Sequence, residues 1–259
     1  VPQKVVEPIV DDFDEEIVAK TRGFNILVVG PHASSNESIQ DILSKNGYET
    51  QLARSLTDAL PLVRRLHPAV FDTIVLDVSD WDMNEIVIFA KEVRNFGVRE
   101  KHYTPILGLV NPEFEDDSIE GVNFILKKPV QAKQFMSQIE VCIDISMDYT
   151  EPVQVRAAID QSGVDESFVR ELLDLLIEDG QSKVAELRQY AAVLDWANLK
   201  LQAHSLKGAA AQLACKPLAQ AAFVIERAGK LRQEEGLDHA LDRLERRLDE
   251  LQLFVETLP

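Results

Sequence analysis

A histidine flanked by two lysines lies in the segment "LQAHSLKGAAAQL", residues 201–213. At 100° per residue one helical stripe collects the apolar side chains, and His204 falls outside that stripe. The predicted buried stripe comprises Leu199, Ala203, Leu206, Ala210 and Leu213. Lys200 and Lys207 lie one turn before and one turn after His204, and Gly208 adds no side chain nearby. This arrangement is suited to meet an anion, and a neutral imidazole nitrogen is a nucleophile toward a phosphoryl group.

The elements that must position these residues differ between the two halves of the chain. Five short apolar runs alternate with helix-like stretches over residues 23–145: "FNILVVG", "YETQLA", "FDTIVLD", "TPILGLV" and "VNFILKKP". This alternation predicts a parallel sheet covered by helices on both faces. Residues 155–259 contain no strand-like run and are predicted to form an antiparallel helical bundle. The expected fold class is therefore α/β plus all-α.

Breaks in the pattern predict the domain boundaries. Residues 1–22, with two prolines and clustered acids, are predicted to be an acidic linker, and "SMDYTEPVQ" at 146–154 a second linker. The predicted helix breaks are Ser162-Gly163, Gly180, Asp195, Lys216-Pro217 and Gly236. Asp165 and Asp195 are predicted N-caps, and Pro217 suits the first turn of a helix. The two predicted domains are thus residues 23–145 and 155–259.

Composition restricts the classes of function. The 259 residues include 27 Lys and Arg against 44 Asp and Glu, which gives a formal net charge of −17. This negative charge repels nucleic acid and anionic lipid, and it favours protein partners or small ligands. No apolar run approaches the roughly 18 residues that span a bilayer, and no signal peptide opens the sequence. The predicted location is cytoplasmic, which includes the cytosolic tail of a membrane-bound kinase. Cys142 and Cys215 lack metal-ligand spacing, so neither a disulfide nor a zinc site is expected.

The motif "AHSLKGAA" and the helices predicted around it resemble histidine-containing phosphotransfer (HPt) domains. The resemblance implies a four-helix bundle whose exposed histidine, here His204, carries a phosphoryl group between receiver aspartates. Lys207 and Lys200 are placed to contact phosphoryl oxygens or the partner, and Gly208 lowers the surface so that the partner can approach. The alternative is a surface histidine that is merely solvated among lysines.

The α/β half resembles the receiver domain of response regulators, a five-stranded doubly wound fold. That family has an acidic pair after the first strand, an aspartate ending the third, Thr or Ser ending the fourth and Lys-Pro after the fifth. Asp77 occupies the phosphoacceptor position and Lys128 the lysine position of this pattern. Gly30 and Pro31 stand where the acidic pair belongs, and Val110 stands where Thr or Ser belongs.

These departures predict a degenerate receiver pocket, a pseudo-receiver. Mg²⁺ needs several oxygen ligands, and glycine and proline supply no carboxylate, so no metal site is expected in this chain. A rescue of the site by Asp80, Asp82 and His32 is one alternative, and solvated surface acids are the other. The resemblance also implies a cis peptide at Lys128-Pro129.

The leading hypothesis is a phosphorelay module of a two-component system, from the C-terminal part of a hybrid histidine kinase or a related protein. His204 would accept a phosphoryl group from a receiver aspartate, while the pseudo-receiver would be a non-phosphorylated docking or regulatory module. A relay from Asp77 to His204, and a non-catalytic scaffold, remain open as alternatives. No ATP-binding kinase motif is visible, so enzyme status stays open. No bound cofactor is expected, because the partner receiver would supply Mg²⁺. The expected partners are a receiver domain and a histidine kinase. No contact with nucleic acid or with a membrane is expected.

Overall fold

The computed structural model describes residues 24–64, 71–100 and 102–258, so the predicted linker over residues 1–22 lies outside the described residues. The first half contains β1 (Asn25–Val29), α1 (Ala33–Lys45), β2 (Glu49–Ala53), α2 (Leu56–Val63), β3 (Thr73–Asp77), α3 (Met83–Glu100), β4 (Ile106–Val110), β5 (Phe124–Lys127) and α4 (Ala132–Met147). The second half contains α5 (Val155–Ser162), α6 (Glu166–Ala192), α7 (Trp196–Gln212), α8 (Lys216–Leu231) and α9 (Leu237–Thr257).

The five strands form one parallel sheet in the order β2-β1-β3-β4-β5. Helices cover both faces of this sheet. Leu43 of α1 and Ile139 of α4 share one core with Val28. Phe89 of α3 shares the opposite core with Leu76. Because the central strands β3 and β4 are covered on both sides, they are buried along their whole length, and the predicted α/β fold is confirmed.

The connection between β2 and β3 follows the predicted alternation of strands and helices, whereas the connection between β4 and β5 departs from it. The helix α2 joins β2 to β3, and Ser55 caps it by accepting a hydrogen bond from the Asp58 amide at 3.0 Å. Residues 111–123, between β4 and β5, form turns and irregular backbone with no helix. In this segment Gly121 adopts φ of 83°, and a Cβ there would lie 2.7 Å from the Cβ of Ala90. Glycine therefore lets the connection lie directly on α3.

The second half is a helical bundle of four long helices, α6 to α9, preceded by the short α5. The Asp165 carboxylate accepts from the Phe168 amide at 2.9 Å and the Asp195 carboxylate from the Asn198 amide at 3.2 Å, so both predicted N-caps are confirmed. The predicted stripe of α7 is buried in the bundle core. Burial of that stripe orients the opposite face of α7, which carries His204, toward solvent.

The predicted helix break at Gly180 is wrong. Helix α6 continues through this residue from Glu166 to Ala192. A Cβ on Gly180 would lie 2.6 Å from a methyl carbon of Leu248 on α9. The glycine therefore serves the close approach of two helices and does not end one.

Alanine substitutions at Gly180 and Gly208 should change stability in opposite directions. A Cβ on Gly208 would have no atom within 4 Å, whereas a Cβ on Gly180 would contact Leu248. Gly208→Ala should raise the free energy of unfolding by about 0.5–1 kcal/mol, because alanine is the better helix former. Gly180→Ala should lower it by about 1 kcal/mol, since overpacking against Leu248 outweighs the same gain. Urea unfolding measures both. A Gly180→Ala chain at least as stable as the parent would contradict the close approach.

The two halves are joined by ion pairs. Lys216 Nζ, at the start of α8, lies 2.7 and 2.9 Å from the two carboxylate oxygens of buried Asp72, just before β3. The other pairs between the halves include Arg227–Glu140, Arg243–Asp144 and Arg247–Asp148. The Phe223 ring meets the Tyr48 ring edge-on, with centroids 6.0 Å apart. The predicted linker at 146–154 begins inside α4.

The two cysteines are free and buried, Cys142 against the sheet and Cys215 in the helical bundle. Burial raises the pKa of each thiol to about 12, so both are protonated at neutral pH. In the part of the chain that the structure describes, no helix is long and apolar enough to cross a membrane.

Candidate functional site

His204 lies on the outer face of α7, with 49% of its side chain exposed. Its Nδ1 is 2.7 Å from Oε1 of Glu226 on α8, and Glu226 is only 6% exposed. Because a carboxylate accepts hydrogen bonds, this contact assigns the ring proton to Nδ1. The Nε2 of a neutral ring then carries the lone pair. The arrangement orients the imidazole as a nucleophile through Nε2.

Lys207 contacts the other oxygen of the same carboxylate. Its Nζ lies 2.6 Å from Glu226 Oε2, and only 12% of its side chain is exposed. The Phe223 ring covers it, with the centroid 5.7 Å from Nζ. Lys207 is therefore mostly buried and already paired, because α8 packs along this flank of α7. Its positive charge compensates the buried carboxylate that holds His204.

Lys200 and Gly208 lie on either side of this histidine. Lys200 is half-buried and forms no ion pair with any described residue. A Cβ on Gly208 would meet open space, and Leu201 is an exposed apolar side chain one turn before His204. The predicted site residues of α7 thus share one face, with an open surface beside the imidazole.

Helices α7 and α8 approach closely enough for Glu226 to reach His204. A Cβ on Gly229 would lie 3.0 Å from the backbone nitrogen of Lys200, so the absence of a side chain there favours the close approach of the two helices. Glu226 belongs to the site, but the sequence interpretation did not include it. The available signal was an acid on the buried stripe of α8, beside Ala222 and Ile225, where an unpaired charge would be costly.

The receiver-like pocket contains Asp77 at the end of β3 and Lys128 just after β5. Lys128 Nζ lies 2.7 Å from both carboxylate oxygens of Asp77, and the Ser79 hydroxyl donates to Oδ1 at 2.7 Å. Burial alone would raise the pKa of Asp77, but the hydrogen bonds from Lys128 and Ser79 outweigh it and lower the pKa below its usual value. Asp77 and Lys128, which the resemblance places in the receiver pattern, therefore form an ion pair, and the expected cis peptide at Lys128-Pro129 is present.

Asn36 fills the position that an acidic residue after β1 would need. Its amide donates to the Gly30 carbonyl at 2.8 Å, and its Oδ1 lies 2.5 Å from the place of a Cβ on Gly30. That Cβ would also lie 3.0 Å from the Cβ of Asp77. Pro31 follows Gly30 and contributes no carboxylate, and Val110 is buried in the core beneath α2 and α3.

The residues considered for a rescued metal site make other contacts. His32 Nε2 is 2.5 Å from Asp80 Oδ2 in an exposed pair, and Asp82 accepts from the Asn84 amide at 2.8 Å. In the described ranges, no three His, Cys, Asp or Glu side chains are grouped so that they could hold a metal ion. Of the acids in the receiver pattern, this pocket keeps only Asp77, and Lys128 contacts both oxygens of its carboxylate. The residues of the pocket therefore do not offer the several oxygen ligands that Mg²⁺ needs.

Restoring one acid should therefore strain the pocket. We expect Gly30→Asp to lower the free energy of unfolding by about 2 kcal/mol, because its Cβ collides with Asn36 and its carboxylate faces Asp77. The double variant Gly30→Asp with Asn36→Ala should be less destabilised than the two single changes added together. Urea unfolding of the four chains measures this coupling. Strict additivity would show that Asn36 does not occupy the position.

A family model described as "Hpt domain" matches residues 171–254. These residues are an Hpt domain. The Hpt domain includes α7 and α8, so both His204 and Glu226 lie inside the match. It follows the five-stranded parallel sheet in the chain, in the order that the sequence predicted for the two halves.

The chain is also similar to the sensory/regulatory protein RpfC of Xanthomonas campestris pv. campestris. The two are 24% identical over 214 residues, which cover 75% of this chain and 29% of RpfC. The same similarity holds for RpfC of two strains. The chain therefore spans less than a third of the length of this curated relative.

Solved structures of smaller proteins resemble part of this chain. CheY4 of Vibrio cholerae is 23% identical with a TM-score of 0.39, and covers 46% of this chain and 98% of its own. A receiver domain protein of Clostridium thermocellum is 20% identical with a TM-score of 0.41, covering 49% and 99%. The phosphotransfer protein HptB of Pseudomonas aeruginosa is 19% identical with a TM-score of 0.38, covering 40% and 91%.

Proposed function

We propose that His204 accepts a phosphoryl group from the aspartate of a partner receiver domain and passes it to another receiver. The observation that carries this proposal is the half-exposed imidazole whose Nδ1 is held by Glu226 inside the Hpt domain. In the transfer, the lone pair of Nε2 attacks phosphorus. A P–N bond forms, the P–O bond of the aspartyl phosphate breaks, and the carboxylate leaves with the electron pair.

Glu226 supports this step electrostatically. The ring keeps its proton on Nδ1 and becomes positively charged as Nε2 bonds to phosphorus. The Glu226 carboxylate, 2.7 Å from Nδ1, stabilises that charge. Lys207 keeps the carboxylate compensated before transfer, when the ring is neutral.

The remaining residues of α7 meet the partner. Lys200 has no ion-pair partner among the described residues, so its ammonium group can contact phosphoryl oxygens. Gly208 and Leu201 offer an open and partly apolar surface to the incoming receiver. Mg²⁺ is supplied by that receiver, and this chain binds none.

The receiver-like half acts as a docking or regulatory module that is not phosphorylated. Support comes from the Asp77 carboxylate, which Lys128 and Ser79 already contact, and from Asn36 in the place of an acid. We further propose that the chain is part of a hybrid histidine kinase in the cytoplasm or on the cytosolic side of a membrane. Its similarity to 29% of RpfC supports membership of a longer sensory protein.

The geometry disfavours a relay from Asp77 to His204 within one chain. The helical half contacts the sheet where strands begin, at Asp72 before β3 and at Phe24 before β1. Asp77 lies at the opposite end of β3, about 16 Å away at 3.3 Å per residue. Direct transfer would require the two halves to separate and turn.

Phosphotransfer from a panel of phosphorylated receivers with Mg²⁺ tests the proposal. The parent chain and Asp77→Asn should gain label from the same donor at the same rate. A large loss of label in Asp77→Asn would favour the relay through Asp77. Failure of every donor, in a panel that includes the receiver of the same longer protein, would favour the scaffold.

A further inference from the structure

A cavity of about 530 Å³ lies between the two halves of the chain. The end of α1, the start of α4 and one side of α7 and α8 form its walls. Its volume is within the range of about 300–1,000 Å³ that small-molecule sites occupy. Lys207 and Glu226, the two residues that support His204, also line it. We call this cavity the interdomain cleft.

Positive charge is concentrated in the interdomain cleft. Five cationic side chains line it without an ion-pair partner among the described residues: Lys45, Lys133, Lys200, Lys230 and Arg232. Elsewhere in the described ranges Arg54, Arg94 and Lys127 also lack an ion-pair partner, and Arg94 instead donates hydrogen bonds to backbone carbonyls. Most other cations pair with acids, as expected in a chain of net charge −17. The excess is therefore local, and it creates a positive potential in a concave site.

The cleft also has an apolar wall. Met136 of α4 and the Phe223 ring of α8 line it, and Leu231 at the end of α8 is an exposed apolar side chain beside them. A site with cations on its rim and an aromatic ring inside suits a ligand that carries both negative charge and an apolar ring. An inorganic anion would contact only the cations of the cleft and not its aromatic ring.

We propose that the interdomain cleft binds a small organic phosphate, an anion with two or more negative charges and a ring. Its phosphate groups meet cations of both halves, Lys45 from the receiver-like half and Lys230 from the Hpt domain. Its ring lies against Phe223 and Met136. This binding does not depend on phosphotransfer by His204, because the proposed contacts in the cleft do not involve the His204 ring.

Isothermal titration of the full chain with ADP and with inorganic pyrophosphate, at low ionic strength without Mg²⁺, tests the site. ADP should bind at one site, and more tightly than pyrophosphate because its ring contacts Phe223. Lys45→Glu and Lys230→Glu should each weaken ADP binding by at least about tenfold, because each replaces an attraction with a repulsion. Added salt should weaken binding as well.

Arg54→Glu is the matched control. It makes the same change of charge on an unpaired cation at the far end of β2, so ADP affinity should stay within about twofold of the parent. Phe223→Leu should weaken ADP binding more than pyrophosphate binding. The proposal is overturned if neither probe binds, or if Arg54→Glu weakens ADP binding as much as Lys45→Glu. It is also overturned if only one of Lys45→Glu and Lys230→Glu weakens ADP binding.

Discussion

We expect His204→Gln to abolish phosphoryl acceptance by this chain, with a rate at least about 10³-fold below the parent, because glutamine offers no nucleophilic nitrogen. The measurement uses a radiolabelled receiver as donor with Mg²⁺. Label on the parent should be acid-labile and base-stable, as expected of a phosphorus–nitrogen bond. The fold should persist, since the half-exposed imidazole contributes little to the core.

His239→Gln is the matched control for this result. His239 is an exposed histidine of α9, in the same Hpt domain, and its loss should leave the rate of labelling unchanged. Circular dichroism of both variants confirms that they are folded. Unchanged labelling of His204→Gln would remove His204 from the proposed mechanism.

We expect Glu226→Gln to lower the rate of phosphotransfer by about 10–100-fold. A hydrogen bond to a charged group contributes about 1.5–3 kcal/mol, and each 1.36 kcal/mol of barrier changes a rate tenfold. The substitution removes the negative charge that stabilises the phosphorylated ring, and it leaves Lys207 without its counter-charge. Single-turnover kinetics with a phosphorylated receiver measure the change.

The same contact predicts which nitrogen is phosphorylated. Since Nδ1 faces Glu226, the phosphoryl group should be on Nε2, which nitrogen-15 and phosphorus-31 NMR of the labelled chain can establish. Glu235→Gln is the matched control, an exposed acid after α8, and should transfer at the parent rate. Phosphorylation at Nδ1, or an unchanged rate in Glu226→Gln, would exclude a supporting role for Glu226.

The sequence predicted the features that depend on local pattern. Five short runs rich in apolar residues indicated the five parallel strands, because strands covered on both faces are mostly apolar. The period of the apolar residues in α7 predicted which face is buried and therefore that His204 is exposed. Asp165 and Asp195 were identifiable as caps because capping needs only the next three residues.

Contacts between distant residues were decided by the tertiary structure. Glu226 lies 22 residues after His204, and only the packing of α8 on α7 brings its carboxylate to Nδ1 and Lys207. The sequence predicts a helix break at Gly180, but the role of this glycine depends on the neighbouring helix α9. Asn36 occupies the place of a missing acid, which no spacing could reveal. Periodicity specifies the face of an element that is buried, whereas the residue that meets it depends on how elements far apart in the chain pack together.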